Sequence, residues 1–423
     1  MKVRVLFVVM LCGLAALASA ETVAITGATI HTMGPQGTIE NGTVVIEGNQ
    51  IAAVGRDVAI PAGARRIDAR GRIVTPGLFN SLTRLGVVEV SSVSGTSDQS
   101  VEGDRITAAF DVKYGINPES VLIPVTRIDG ITRALVAPSA GDSLIAGQGA
   151  VIHLGETGPL VVATPVAMFA QLGEDAAEDA GGARGAAMLR LREALQDALD
   201  FAANRRAFES GDRREYALSR LDLEALGPVV RGELPLVVTV RRASDILGAL
   251  QLAREFDLRL VLTGADEAWK VARQIVEAGV PVLLNPMENL PSSFEALGAT
   301  LENAARLHRA GVTVALVTGD AHNARNVRQA AGNAVAYGMP WDAALAAVTV
   351  VPARIWGIAD EYGTIEAGKD ADLVVWNGDP FELATFPSAV FIRGEQIPVE
   401  SRQLELRDRY SDPNATLPPA FRD

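Results

Sequence analysis

The feature that most constrains the fold is an alternation of short apolar runs with helical segments between about residues 77 and 355. Candidate strands lie at 134–137, 236–240, 258–262, 280–284 and 312–317. Strands that alternate with helices favour a parallel sheet covered by helices. The middle of the chain is therefore predicted to form a parallel α/β unit.

Both ends of the chain have a different character, since they consist of short strands separated by turns. Residues 44–54 read as a β-hairpin, and residues 363–395 repeat the same pattern near the other end. We predict one small β-sandwich built from both termini. The expected organisation is an N-terminal contribution to the β-sandwich at 21–76, a barrel at 77–355, a C-terminal contribution to the β-sandwich at 356–400, and a polar tail at 401–423.

Two motifs connect this pattern to a known family. Residues 72–86 read Arg-Ile-Val-Thr-Pro-Gly-Leu-Phe-Asn-Ser-Leu-Thr-Arg-Leu-Gly, and residues 363–380 read Gly-Thr-Ile-Glu-Ala-Gly-Lys-Asp-Ala-Asp-Leu-Val-Val-Trp-Asn-Gly-Asp-Pro. Together they resemble the amidohydrolase superfamily, in its imidazolonepropionase-like and dihydroorotase-like branch. The resemblance implies a TIM-like (β/α)8 barrel plus the composite β unit. It also implies a lineage of metal-dependent hydrolases acting on C–N bonds.

The metal-binding positions of that family carry other residues here. In the family the first segment runs Pro-Gly-Leu-Ile-Asp-x-His-x-His, and this chain has Leu82 and Arg84 at the two histidine positions. Thr239 and Thr263 stand where histidines of the fifth and sixth strands are expected. Because imidazoles and carboxylates are the usual ligands of such metals, the resemblance implies a dismantled metal site and no metal cofactor.

Six residues are candidates for the functional site. Asp320 matches the family's proton-accepting aspartate, and His322 follows two residues later as a candidate acid. Arg84 could fill the space of the metal, pair with Asp320 or stabilise an oxyanion. The candidate substrate-binding residues are Arg84, Thr239, Arg242 and Thr263. For Arg242, a local ion pair with Asp245 at a helix start is the alternative.

The bulk sequence limits location and partners. Lys2 and Arg4, an apolar run and Ala18-Ser19-Ala20 are typical of a signal peptide at 1–20 cleaved after Ala20, which predicts a periplasmic or secreted protein. The single cysteine lies inside that segment. Loss of Lys2 and Arg4 would change the net charge from −13 to −13 − 2 = −15, which disfavours nucleic acid and anionic membranes as partners.

Three hypotheses for function follow, and they leave open whether the chain is an enzyme. In the first, the barrel keeps a pocket, lacks metal chemistry and binds a small molecule. In the second, it still hydrolyses peptide-like or other C–N bonds, with Asp320 as the base. In the third, a pseudoenzyme stabilises an active amidohydrolase paralogue; a homodimer is compatible with any of them.

Overall fold

The computed structural model of the protein describes residues 21–103, 105–212 and 214–411. The predicted signal peptide and the last stretch of the predicted tail, residues 412–423, lie outside the described residues. Cleavage after Ala20 therefore stays a prediction.

The described chain contains strands and helices in the predicted alternation. The strands are β1 Thr22–His31, β2 Thr38–Glu47, β3 Gln50–Gly55, β4 Arg65–Asp68, β5 Ile73–Pro76, β6 Leu78–Thr83, β7 Ile131–Val136, β8 Ile145–His153, β9 Val161–Gln171, β10 Leu236–Val240, β11 Leu260–Gly264, β12 Val282–Leu284, β13 Val314–Leu316, β14 Leu373–Trp376, β15 Pro387–Ile392 and β16 Glu395–Gln396. The helices are α1 Leu122–Arg127, α2 Glu174–Asp179, α3 Arg184–Glu209, α4 Arg220–Val230, α5 Ala243–Phe256, α6 Ala272–Glu277, α7 Asn303–Ala310, α8 Val327–Ala336, α9 Trp341–Ala347, α10 Val350–Ile355 and α11 Arg402–Tyr410.

Strands from both ends of the chain form one sheet, here called the terminal sheet. Its order is β16-β15-β14-β5-β1-β2-β3, with β4 pairing to β1. The link between the two ends is the antiparallel pair β5–β14, in which Val374 lies opposite Thr75. The predicted hairpin is present as β2–β3, with Val44 opposite Val54.

The terminal sheet contributes to two cores because successive side chains of a strand point to opposite faces. Leu373 and Val375 of β14 pack into a core formed within the terminal sheet itself. Val374 and Trp376 of the same strand pack into the large core that also contains the outer face of the barrel strands. One face of the terminal sheet thus packs into a core of its own, and the other face packs against the barrel.

The remaining eight strands form a nearly closed barrel in the order β6 to β13. The edges approach where the amide of Gly319, just after β13, donates to the carbonyl of Leu82 in β6 at 3.1 Å. Alternation again sorts the side chains: Val237 and Val261 fill the barrel interior, whereas Leu236 and Leu262 face the surrounding helices. The predicted TIM-like barrel is confirmed, and the strands of both termini, which were predicted to form a small β-sandwich, form a β-rich unit with one eight-stranded sheet.

One strand departs from the predicted parallel arrangement. β8 runs antiparallel to both β7 and β9. Its two connections, residues 137–144 and 154–160, are shorter than the roughly twelve residues that a crossover between parallel strands requires. The chain therefore turns back at each end of β8, and the first residues of β8 lie at the same end of the barrel as the last residues of β7 and β9.

The predicted polar tail begins with ordered structure. α11 occupies Arg402–Tyr410, and the Ser401 hydroxyl accepts a hydrogen bond from the Leu404 amide at 3.3 Å, which caps its first turn. Within the three ranges that the structure describes, no helix has the length and apolar character needed to cross a bilayer.

Candidate functional site

A small cavity lies at the barrel end where the parallel strands finish, here called the mouth cavity. Its volume is about 230 Å³, below the roughly 300–1,000 Å³ of pockets for drug-sized ligands. Strand ends and the loops that follow them provide its walls. The lining residues are Leu82, Arg84, Pro138, Ser139, Ala140, Ala146, Phe169, Ala170, Gln171, Thr239 and Thr263.

Three polar side chains form a row across adjacent strands of the mouth. Sheet register places Thr239 beside Gln171 on one side and beside Thr263 on the other. Each threonine lies two residues after an interior valine, Val237 or Val261, so the period of the strand directs it toward the inside of the barrel. The hydroxyls of Thr239 and Thr263 have no hydrogen-bond partner among the described residues, so both are available to a ligand.

Arg84 is the positive group of the mouth cavity. Its Nε donates to the Ser139 hydroxyl at 2.9 Å, and its Nη1 donates to the Thr83 carbonyl at 3.1 Å. Ser139 is held in turn, because its hydroxyl donates to Oε1 of Gln99 at 3.0 Å. Nη2 of Arg84 donates to no described residue. Burial lowers the pKa of Arg84 to about 10, although the negative charge of Asp320 acts to raise it. The guanidinium therefore stays cationic at neutral pH.

The loop after β13 holds Asp320 and His322, and neither residue lines the mouth cavity. The Asp320 carboxylate accepts from the His322 amide at 3.1 Å and from Nδ2 of Asn323 at 2.8 Å. His322 is exposed, and its Nε2 lies 3.2 Å from the Ser91 hydroxyl. The suggested pairing of Arg84 with Asp320 is not formed: among the ion pairs of the described residues within 4.0 Å, none joins the two.

Arg242 lies outside the mouth cavity, at the start of α5. Its Nη2 donates to Oδ1 of Asp245 at 2.9 Å, which is the local ion pair considered as the alternative. Sequence reasoning missed Gln171 and Ser139. Gln171 ends the longest barrel strand, and its Nε2 donates to Oδ2 of Asp179 at 3.0 Å. The signal for Gln171 was its position at the end of an apolar run.

The other three histidines have structural surroundings. His31 packs its ring against Trp341, with ring centroids 4.5 Å apart. His153 is buried, its Nε2 lies 2.8 Å from the Pro159 carbonyl, and burial lowers its pKa. His308 lies on α7. None of these imidazoles lines the mouth cavity.

Comparison with known proteins shows which family the chain is similar to. The model of the amidohydrolase family matches residues 242–397. An imidazolonepropionase of Brucella anthropi is 27% identical over 82% of this chain and 90% of its own length. These matches support membership of the amidohydrolase superfamily. The amidohydrolase tasK of Hapsidospora irregularis is 26% identical over 84% of this chain, but the match spans only 39% of that protein.

Solved structures agree with this assignment. An amidohydrolase from Thermotoga maritima MSB8 superimposes with a TM-score of 0.80 and 26% identity, covering 89% of this chain and 99% of that one. Phenylurea hydrolase B, at 17% identity and a TM-score of 0.55, shares the fold. The sequence matches and the structural matches thus both include an amidohydrolase.

The described residues do not fit the divalent metal of the metal-dependent hydrolases in that lineage. Among them, no three or more histidine, cysteine, aspartate or glutamate side chains come together in a way that could hold a metal ion. At the mouth, the guanidinium of Arg84 would repel a divalent cation, and Leu82 has no donor atom. The mouth instead offers one cation, three hydroxyls and one amide.

Proposed function

We propose that this amidohydrolase-superfamily chain binds a small anionic molecule in the mouth cavity, with Arg84 as the anchor and without a divalent metal. The observation that carries the proposal is the composition of the cavity wall. Arg84 is the only ionisable side chain among the described residues that line it. A guanidinium with an uncommitted nitrogen is a strong donor to a carboxylate or similar anion.

The same wall supports binding over hydrolysis. Hydrolysis of an amide needs a group that accepts a proton from water, usually a histidine or a carboxylate within hydrogen-bond reach. The described lining residues include no carboxylate, imidazole or amine. A ligand in the mouth cavity is thus held by Arg84 and the polar row, with no base in direct contact.

The test combines metal content with anion binding. We expect the purified chain to carry substoichiometric zinc, manganese and iron by mass spectrometry, and to bind short carboxylates in calorimetric titration. Arg84→Gln should weaken that binding by roughly 10- to 100-fold, because a hydrogen bond to a charged group contributes about 1.5–3 kcal/mol. Arg192→Gln, on the exposed face of α3, is the matched control and should bind as the wild type does.

A tightly held equivalent of metal, or equal carboxylate binding by wild type and Arg84→Gln, would contradict the proposal. The metal measurement and the binding measurement fail independently, so each half can be rejected alone.

A second candidate is metal-independent hydrolysis of a C–N bond with Asp320 as the base. It is favoured by the amidohydrolase among the relatives and by the charge of Asp320, which acts on Arg84. Single-turnover assays with cyclic amides and N-acylated amino acids would show a slow reaction that Asp320→Asn abolishes. Equal rates in wild type and Asp320→Asn remove this candidate.

A further inference from the structure

We infer that the mouth cavity selects a short-chain hydroxy or oxo monocarboxylate and rejects amino acids, dicarboxylates and phosphate. This inference rests on the proposed function, because it specifies which anion Arg84 receives. It follows from the charge, polarity and size of the cavity wall.

The number of charges restricts the ligand to one negative group. Arg84 is the only cation among the described lining residues, so a second carboxylate or a phosphate dianion would carry charge without a partner. Burial of an unpaired charge is costly even when the rest of the ligand fits. The protein's overall charge of −13 adds no attraction for a second negative group.

The absence of an acidic side chain from the described lining excludes amines. An α-amino acid brings an ammonium group close to its carboxylate, and a buried ammonium needs a negatively charged partner to offset the loss of its hydration. The described lining offers no carboxylate. Asp179, the acid that contacts Gln171, lines a different cavity and already accepts from Nε2 of Gln171 at 3.0 Å.

The wall of the cavity combines polar and apolar side chains, and this combination indicates the carbon skeleton and polar group of the ligand. Gln171, Thr239 and Thr263 lie in register on three neighbouring strands, and the two hydroxyls are unpartnered among the described residues. Leu82 and Phe169 form apolar portions of the wall. A ligand that fits both the polar and the apolar residues has a short carbon chain and one neutral oxygen that forms a hydrogen bond with a threonine hydroxyl.

The volume sets the length of the chain. A cavity of about 230 Å³ is smaller than the pockets that hold drug-sized ligands. Ligands with about four carbons therefore suit it better than long-chain acids or peptides.

The experiment uses four-carbon probes that differ in one group, plus inorganic phosphate, in calorimetric titration of the full chain. The probes are butanoate, 2-hydroxybutanoate, 2-aminobutanoate and butanedioate. We expect 2-hydroxybutanoate to bind about two- to tenfold more tightly than butanoate, the gain typical of one neutral hydrogen bond. The amino acid, the dicarboxylate and phosphate should each bind at least about tenfold more weakly than butanoate.

The variants Thr239→Val and Thr263→Val test the contribution of each hydroxyl to binding while Arg84 is kept. Valine keeps the shape of threonine and suits a strand, so these variants should fold, and the ratio of the affinities for butanoate and 2-hydroxybutanoate is measured within each variant. At least one of them should lose the preference for 2-hydroxybutanoate. If both keep it, the assignment of the polar row is wrong.

The outcomes distinguish the inference about the class of ligand from the proposal that the mouth cavity binds an anion. Tighter binding of 2-aminobutanoate or phosphate, still dependent on Arg84, overturns the inference and leaves anion binding intact. Failure of wild-type protein to bind any of the five probes overturns both.

Discussion

At the scale of single residues, the mouth depends on how Arg84 is oriented. Its side chain could adopt many conformations, yet Nε and Nη1 are both committed to oxygens of Ser139 and Thr83. Gln99 fixes Ser139 from a third segment through its side chain and its carbonyl, which accepts from the Ser139 amide at 2.8 Å. A binding group held in advance loses less conformational entropy when its ligand arrives.

Ser139→Ala should therefore weaken carboxylate binding without unfolding the protein. The variant removes the acceptor of Nε, and we expect a loss of roughly two- to tenfold, the value of one hydrogen bond. Ser139→Thr keeps the hydroxyl and should restore most of the affinity. Ser244→Ala, on α5 and away from the mouth cavity, is the control, and titration of butanoate is the measurement. Equal affinity in Ser139→Ala and wild type would show that Arg84 needs no such support.

The sequence predicted some of these residues and could not predict others. Thr239 and Thr263 were found because the family resemblance places histidine ligands at these two positions, and strand period then determines their side. The contact between Arg84 and Ser139 joins residues that are 55 positions apart, through a turn before the antiparallel strand β8. The periodicity of apolar residues along the sequence does not predict such a contact. The suggested ion pair of Arg84 with Asp320 was wrong for the same reason. Arg84 instead donates to Ser139 and Thr83, and Asp320 accepts from His322 and Asn323.

At the scale of elements, Glu267 joins three segments around the carboxyl ends of the strands. Its carboxylate accepts from the Ala243 amide at the start of α5 at 3.1 Å, from the Gly298 amide at 3.1 Å and from Lys270 at 2.5 Å. Burial alone would raise the pKa of Glu267, but these hydrogen bonds hold it below its usual value. The carboxylate thus fixes the segment after β12 against the helix after β10.

Glu267→Gln should destabilise the protein at pH 7 by about 1–3 kcal/mol, the cost of weakening hydrogen bonds to a buried carboxylate. Because the folded pKa lies below the unfolded value of 4.5, the contribution is fully present above about pH 4.5 and is lost as the pH falls through the folded pKa. Urea unfolding of both proteins between about pH 7 and pH 3 measures this. The difference should shrink on acidification.

Glu302→Gln is the matched control for that series. Glu302 pairs with Arg306 on the surface of α7 and is half exposed, so its loss should cost well below about 1 kcal/mol. A difference for Glu267→Gln that stays constant down to about pH 3 would contradict the assigned role of the carboxylate.

At the scale of the whole molecule, a buried charge cluster connects the terminal sheet to the barrel. Arg133 of β7 is 2% exposed, and its Nε donates to Oδ2 of Asp372 at 2.8 Å while Nη2 contacts Asp370. The two acids precede β14 and raise the pKa of Arg133 despite its burial. Tyr362 lies against the same guanidinium, 5.0 Å from its ring centroid. The Lys-Asp-Ala-Asp stretch of the C-terminal motif thus has a structural role in this chain.

Arg133→Met should cost roughly 3–5 kcal/mol, because it leaves buried carboxylates without their cation. Adding Asp370→Asn and Asp372→Asn to that variant should recover some of the loss. Arg393→Met, an exposed arginine near the same junction, should change stability little. Urea unfolding followed by fluorescence measures all three. Equal stability of Arg133→Met and wild type would mean that apolar packing alone holds the two units together.

The fold at this scale was largely predictable, since β-rich ends and an alternating centre follow from composition and period. The reversal of β8 was not, because an apolar run carries no information about its direction in the sheet. Only the short connections on either side of it require the chain to turn back.

That reversal gives the cavity a wall whose length is not set by the packing of a helix. In a standard barrel, each loop at the open end leads into a helix whose packing restricts its length. Residues 137–144 instead return directly into β8, so they are free of that restriction. Insertions and deletions in this turn could reshape the pocket while every helix stays in place, and homologues with the same reversal should diverge there first.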